Sequence, residues 1–287
     1  MFIFVFACSL CCMLEATNNK DEPLSNQVWS QFGPLRHAYV AGRKEKPQEV
    51  FNILRSYVSL DARILDLGAG TGISTRQLFK NGFKHVIGVD RDFLMLEEAR
   101  AANTKPFSIK YLQGDVGQGL PFPDAEFDVV TAFSAFHWFA NPSSIHEVKR
   151  LLKPGGYYFI VGANRYSKEQ KPDNPLSSGI KKIIEEAIGQ KLPKKNVDSL
   201  QDLESQGFKI ILNARIPYIH QYTKEEYLES IQSHSYWNFI RNVPPQVQQK
   251  VLRKIERFVN SFVDENGHIQ QEGIVVVILA QSPESSD

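Results

Sequence analysis

The run Ile64-Leu65-Asp66-Leu67-Gly68-Ala69-Gly70-Thr71-Gly72 holds residue types that grip a ligand through the main chain. An apolar strand passes into a glycine-rich turn, and a helix follows. Glycines let the backbone approach a ligand closely, and the first N–H groups of a helix are free to donate. The spacing separates two chemistries. A dinucleotide-binding turn reads G-x-G-x-x-G; counted from Gly68, its third glycine falls at position 73, which is Ile73. The glycines stand instead at 68, 70 and 72, with Asp66 two residues ahead of the first.

Three more groups follow in chain order. Asp90 closes the run Val86-Ile87-Gly88-Val89-Asp90, 22 residues beyond Gly68. An acid at the end of a second strand can accept hydrogen bonds from both hydroxyls of a ribose, a feature that dehydrogenases share. Gln113-Gly114-Asp115-Val116 closes a third strand. A carboxylate there accepts from an N–H donor, and the apolar neighbour packs on a ring edge. Ser134-Ala135-Phe136-His137-Trp138-Phe139 closes a fourth. Ligands of open α/β sheets bind at the carboxyl ends of the strands, so this piece is expected to face the reacting atoms.

These groups need a scaffold that brings strand ends together, and the flanking pattern supplies one. Arg63–Leu67, His85–Val89, Ile109–Leu112, Phe127–Phe133 and Tyr157–Val161 read as short β runs. Between them lie helical patterns. One is capped by Asp92, and another is capped by Asn141 with Pro142 at its first position and is stopped by Pro154-Gly155-Gly156. Strands alternating with such helices imply βαβ units and a parallel sheet. Upstream, Ser25–Ala41 and Pro47–Val58 read as two helices; downstream, Gly207–Ile219 and Ile274–Ala280 read as late strands. Pro172–Lys195 reads as partly helical, and Gln246–Val263 as an amphipathic helix. The expected fold class is α/β: a Rossmann-like, mostly parallel seven-stranded sheet with helices on both faces and a helical cap. It is read as a single domain over 24–287, with its core at 61–164 and cap insertions at about 165–206 and 220–265.

The D-x-G-x-G-x-G pattern resembles motif I of the class I S-adenosylmethionine-dependent methyltransferases. Ala135-Phe136-His137-Trp138-Phe139 resembles the type 11 branch, which includes trans-aconitate methyltransferase-like proteins. Leu120-Pro121-Phe122-Pro123-Asp124 with Phe127-Asp128 is similar to that family's "LPF-D-FD" segment, with one additional residue in Gly117-Gln118-Gly119. Phe32, Tyr39 and Arg43 look like its lead-in, and Tyr222–Leu228 with Ser233-His234-Ser235-Tyr236 look like its cap. The resemblance covers about Phe32 to Asn164 well and the tail less well.

The resemblance implies S-adenosylmethionine as cofactor, S-adenosylhomocysteine as product, and no metal. It implies that Gly68, Ala69 and Gly70 cradle the amino-acid end of the cofactor, and that Asp90, beside Arg91, holds the ribose. Asp115 would bond the adenine amino group with Val116 against the ring, and Ser134 would border the cofactor. Asp66 would border it or hold loop amides. Tyr39 and Arg43 would fold over it. Trp138 and Arg165 would belong to the substrate pocket, with a small molecule as methyl acceptor. A carboxylate acceptor needs no base; a hydroxyl or amine does, and His137 is the candidate. For a carboxylated acceptor, Arg43, Arg165 and Arg241 are the candidate counter-ions.

Composition bounds the alternatives. Lys+Arg is 33 and Asp+Glu is 32 among 287 residues, a formal net charge of +1, so nothing global recruits nucleic acid. The three cysteines are Cys8, Cys11 and Cys12, which leaves the body of the chain without a disulfide framework or a cysteine metal site. They lie in an apolar segment, residues 1–14, of about signal-peptide length but lacking the usual basic flank. Export or lipid anchoring, a start at Met13, and an incidental tail all stay open for it; the expected location is cytoplasmic, without stable membrane association. Oligomeric state is not encoded in any motif. Three other functions stay open: a tRNA or rRNA base methyltransferase, an NAD-dependent oxidoreductase, and a non-catalytic S-adenosylmethionine-binding protein.

Overall fold

Successive side chains of a strand point to opposite faces, and in the first strand, β1 (Arg63–Leu67), both faces are buried. Ile64 enters one core and Leu65 the other, and both are fully buried. A strand buried on both sides belongs in the middle of a sheet covered by helices. The computed structural model describes residues 31–162, 174–193 and 199–284, and in it β1 sits centrally.

The other strands are β2 (His85–Asp90), β3 (Lys110–Gln113), β4 (Phe127–Phe133), β5 (Leu152–Gly162), β6 (Lys209–Thr223) and β7 (His268–Gln281). They form a seven-stranded sheet in the order β3-β2-β1-β4-β5-β7-β6. β1 to β5 run parallel, and β7 is antiparallel to both of its neighbours. The chain winds outward from β1 through β2 to β3, then returns to place β4 on the other side of β1. That reversal opens a crevice at the carboxyl ends of β1 and β4.

Helices cover both faces. On one, α1 (Arg36–Gly42) leads into α2 (Gln48–Tyr57), whose Val50, Phe51 and Leu54 are buried with Leu78 of α3 (Ile73–Lys80). On the other, α5 (Pro142–Leu151) buries Ile145, Val148 and Leu151 against Leu65, Val130 and Tyr158. The expected caps are in place. Asp92 accepts hydrogen bonds from Leu94 N and Met95 N at the start of α4 (Phe93–Ala101), and Asn141 accepts from Ser144 N at the start of α5.

The cap is a third core at the far ends of β6 and β7. It comprises α6 (Pro175–Ile188), α8 (Lys224–Gln232), α9 (Trp237–Arg241) and α10 (Pro245–Asn260), with Ile183, Ile184, Tyr227, Trp237 and Ile255 buried among them. Thr223 and Glu226 form a capping box that starts α8 directly where β6 ends. Leu35 packs into this cluster, and Gly42 lies where a side chain would overlap the Ser230 backbone of α8. The lead-in is thereby locked to the cap.

Several expected boundaries move. The part of Ser25–Ala41 that is described is not one helix: a 3₁₀ turn, Gly33–Leu35, precedes α1, and Gly33 N donates to Asp92 Oδ2 at 2.5 Å. Helix α5 does end before Pro154-Gly155-Gly156, but those residues lie within β5. Gly155 takes φ +70°, and the register against β4 shifts between Phe127 and Val129, so the glycines form a bulge. Strands β6 and β7 extend past the expected Ile219 and Ile274 as a long antiparallel ladder, which polar residues join because pairing there is set by the backbone. Helix α7 (Ser199–Ser205) buries Leu203 in the sheet's core, not in the cap. Residues 1–14 lie outside the described residues. Among those described, no helix is long and apolar enough to cross a membrane.

Candidate functional site

The turn after β1 is built on three glycines in the left-handed region: Gly68 at φ +68°, Gly70 at +55° and Gly72 at +75°. A side chain at Gly68 would overlap the Cβ of Ala135 in the turn after β4. The two loops at the crevice can meet only because this position is bare. Asp66, buried just before the turn, accepts from Thr75 Oγ1 at 2.6 Å and from Thr131 Oγ1 at 2.7 Å. Its carboxylate therefore ties β1 to α3 and β4 through hydroxyls, not loop amides. Burial pushes its pKa up to about 7 against the pull of those two hydrogen bonds.

Asp90 stands beside this turn, at the end of β2. Its Oδ2 accepts from Gly70 N at 2.7 Å and its Oδ1 from Asp92 N at 2.9 Å. A carboxylate held by two amides is fixed in direction and keeps lone pairs for further donors, and Asp90 is among the residues that line the cavity here. Burial, only partly opposed by those two backbone bonds, pushes its pKa up to about 6.

The main cavity measures about 310 Å3. Gly68, Gly70, Asp90, Arg91, Asp115, Val116, Ser134 and Trp138 line it, and Tyr39 closes one side. Met95, Val89 and Phe139 add apolar wall. Asp115 Oδ1 accepts from Gly117 N at 2.9 Å, capping the short 3₁₀ turn that holds the additional loop residue. The loop beyond is clamped by Arg150, which donates to Leu120 O, Phe122 O and the carboxylates of Asp124 and Glu147. Phe32 packs edge-on against both Tyr39 and Trp138, which brings the lead-in over the crevice.

A second cavity, about 50 Å3, adjoins the first. Both share Tyr39, Gly68, Phe133 and Ser134, while Ala69, Asp66 and Arg43 line only the smaller one. Arg43 lies over the Tyr39 ring at 5.0 Å and donates from Nη2 to Ser233 O at 3.2 Å. Ser134 takes φ +55°, an uncommon conformation for a residue other than glycine. Such strain persists where the surroundings enforce it, often at functional sites.

Some expected residues lie elsewhere. His137 is not on the wall of either cavity; its ring packs against Trp138 at 4.8 Å, because the 3₁₀ turn Phe136–Trp138 directs the tryptophan inward instead. Arg241 donates to Asn238 Oδ1 and borders neither cavity. Arg165 lies outside the described residues.

Lys46 was not singled out from the sequence. It lines the smaller cavity, and its Nζ donates to Ser134 Oγ at 2.8 Å. The available signal was its place three residues after Arg43 and directly before Pro47, which holds the chain extended at the start of α2.

The sheet order, the crevice and the glycine spacing meet the family comparison here. The type 11 family described as a methyltransferase domain matches residues 65–160, the stretch from β1 to β5. The stretch from β1 to β5 is thus matched as a methyltransferase domain. An uncharacterised methyltransferase of Mycobacterium tuberculosis is 29% identical to this chain over 230 residues, covering 79% of this chain and 85% of that one. Among solved structures, a candidate methyltransferase from Bacillus halodurans is 23% identical with a TM-score of 0.51, covering 83% of this chain and all (100%) of that one. The [4+2]-cyclase SpnF superposes with a TM-score of 0.55 at 16% identity, covering 92% and 98%. Likeness at this level speaks of architecture; the reaction is argued from the site.

Proposed function

We propose that this methyltransferase transfers a methyl group from S-adenosylmethionine to a small molecule that carries a carboxylate. One observation bears most of the weight. An acid held by two amides, Asp90, lines a cavity of about 310 Å3 together with Gly68 and Gly70 of the turn, whose glycines leave the backbone bare. That size suits a nucleoside-bearing ligand. Asp90 would hold the ribose hydroxyls, Asp115 the adenine amino group with Val116 against the ring, and the Gly68–Gly70 turn the amino-acid end.

When bound, the cofactor supplies an electrophilic methyl group on a sulfonium. The protein's part is orientation and exclusion of water. Phe32, Tyr39 and Trp138 form an aromatic cover over the crevice, and the lead-in that carries Phe32 and Tyr39 is fastened to α4 and to the cap. A carboxylate acceptor gives up no proton on methylation, so its reaction needs no general base. That agrees with His137 standing off the cavity walls.

The test is incubation of the full chain with S-adenosylmethionine and a panel of small mono-, di- and tricarboxylic acids, followed by mass spectrometry. The expected product carries one added methyl group as a base-labile ester, and its formation depends on Asp90. Methylation of hydroxyl or amine acceptors alone would contradict the carboxylate reading and leave the methyltransferase reading standing.

A further inference from the structure

Ser144 stands in the first turn of α5, is 1% exposed and lines the main cavity. Its Oγ is buried and has no hydrogen-bond partner among the described residues. A hydroxyl at the start of a helix usually caps it or bonds to nearby backbone. Here the cap is Asn141, whose Oδ1 accepts from Ser144 N at 2.9 Å and from Ser143 Oγ at 2.7 Å. The Ser144 hydroxyl is therefore not used by its own helix. A buried hydroxyl left unpaired lowers stability until something completes it.

The 3₁₀ turn Val116–Gln118 lies beside it. A Cβ added at Gly117 would stand 3.3 Å from Asp115 Oδ1 and 3.5 Å from Ser144 Oγ. Apart from Gly117 and its two chain neighbours, no other atom of the described residues comes within 4 Å of that point. The bare position is thus a notch walled by two oxygens, and Asp115, Gly117 and Ser144 all line the main cavity. Both walls are held. Asp115 Oδ1 accepts from Gly117 N at 2.9 Å, and Glu147 of α5 accepts from Leu120 N at 2.7 Å, which ties the helix to the loop beyond the turn.

Two acceptor oxygens around one bare position suit a group with two hydrogens to give, and an amino group on a planar ring has two N–H donors. The family resemblance assigns Asp115 to one of them and assigns nothing to α5. We propose that Ser144 Oγ accepts the second N–H of the adenine amino group at the notch left by Gly117, so that Asp115 and Ser144 together select a purine with an amino group at its six-position. The inference rests on the S-adenosylmethionine reading above. A purine with hydrogen in place of that amino group gives nothing to either oxygen and leaves the Ser144 hydroxyl as unpaired as it is in the free protein.

The experiment is isothermal titration of wild type, Ser144→Ala and Gly117→Ala with S-adenosylhomocysteine and with its deaminated analogue, which carries hydrogen in place of the amino group. Thermal melts without ligand accompany it. S144A is expected to weaken S-adenosylhomocysteine by about three- to tenfold, the loss of one neutral hydrogen bond, and to leave the analogue unchanged. G117A places a methyl group in the notch; it weakens S-adenosylhomocysteine by roughly tenfold and the analogue by less. Without ligand, S144A melts no lower than wild type, because it loses only an unpaired hydroxyl. S144A that matches wild type for S-adenosylhomocysteine, or that weakens both ligands equally, overturns the role of Ser144 and leaves the cofactor reading standing. Should S144A fail to fold, G117A decides, and equal losses for the two ligands overturn the notch. Wild type that binds neither ligand overturns the notch and the cofactor reading together.

Discussion

Asp90→Ala lowers affinity for S-adenosylmethionine and S-adenosylhomocysteine by roughly 100-fold or more. In the proposed complex the substitution removes the acceptor for two ribose hydroxyls, and hydrogen bonds to a charged group contribute about 1.5–3 kcal/mol each. It also frees Gly70 N and Asp92 N, which hold the glycine turn and the start of α4 in register. Acidity should have the same effect on a smaller scale. The pKa of Asp90 is pushed up to about 6 by burial, so its carboxylate is ionised at pH 7.5 and mostly protonated at pH 5. A protonated carboxyl accepts less well, so cofactor affinity falls as pH drops through about 6, by up to about tenfold per unit below it. Asp90→Asn has no such proton to gain, and its weaker binding loses this part of the pH dependence. Titration calorimetry between pH 5 and 8 on the three proteins reads both effects. Equal affinity in wild type and Asp90→Ala would remove Asp90 from the site.

Gly68→Ala is expected to cost stability and binding at once. The residue sits at φ +68°, where any side chain is strained, and its new Cβ would run into Ala135. Strain of about 1–2 kcal/mol from the left-handed backbone adds to the displacement of the turn after β4. A melting temperature lower by roughly 5–10 °C follows, together with at least tenfold weaker cofactor binding, because Gly68 borders both cavities. Gly189→Ala separates the two causes. That glycine has nearly the same φ, +69°, but open space where the Cβ would go, so only the backbone strain is felt. Thermal melts in which both variants fall equally would show that contact with Ala135 is unimportant.

The parts that could be read from the sequence are those dictated by local periodicity and strand ends. The buried strands β1, β2 and β4 are short apolar runs bounded by turn residues, and Asp92 and Asn141 are unambiguous caps. Gly68, Gly70, Asp90 and Asp115 are legible because parallel βαβ units must bring successive strand ends to one edge. What escaped depends on distance along the chain. Lys46 meets Ser134 across 88 residues, and nothing near either one announces the other. The reach of β6 and β7 beyond their apolar cores comes from backbone pairing with each other, which hydropathy does not record. His137 was placed by its position after β4; a tight 3₁₀ turn there decides instead that Trp138 faces inward, and such a turn leaves little trace in periodicity.

Titration calorimetry of the full-length chain with S-adenosylmethionine, S-adenosylhomocysteine and NADH tests the central claim most directly. Binding of both adenosyl ligands in the micromolar range, with no heat from NADH, is the predicted result. Folded protein that binds neither adenosyl ligand, or that binds NADH instead, would contradict the assignment of this crevice to S-adenosylmethionine.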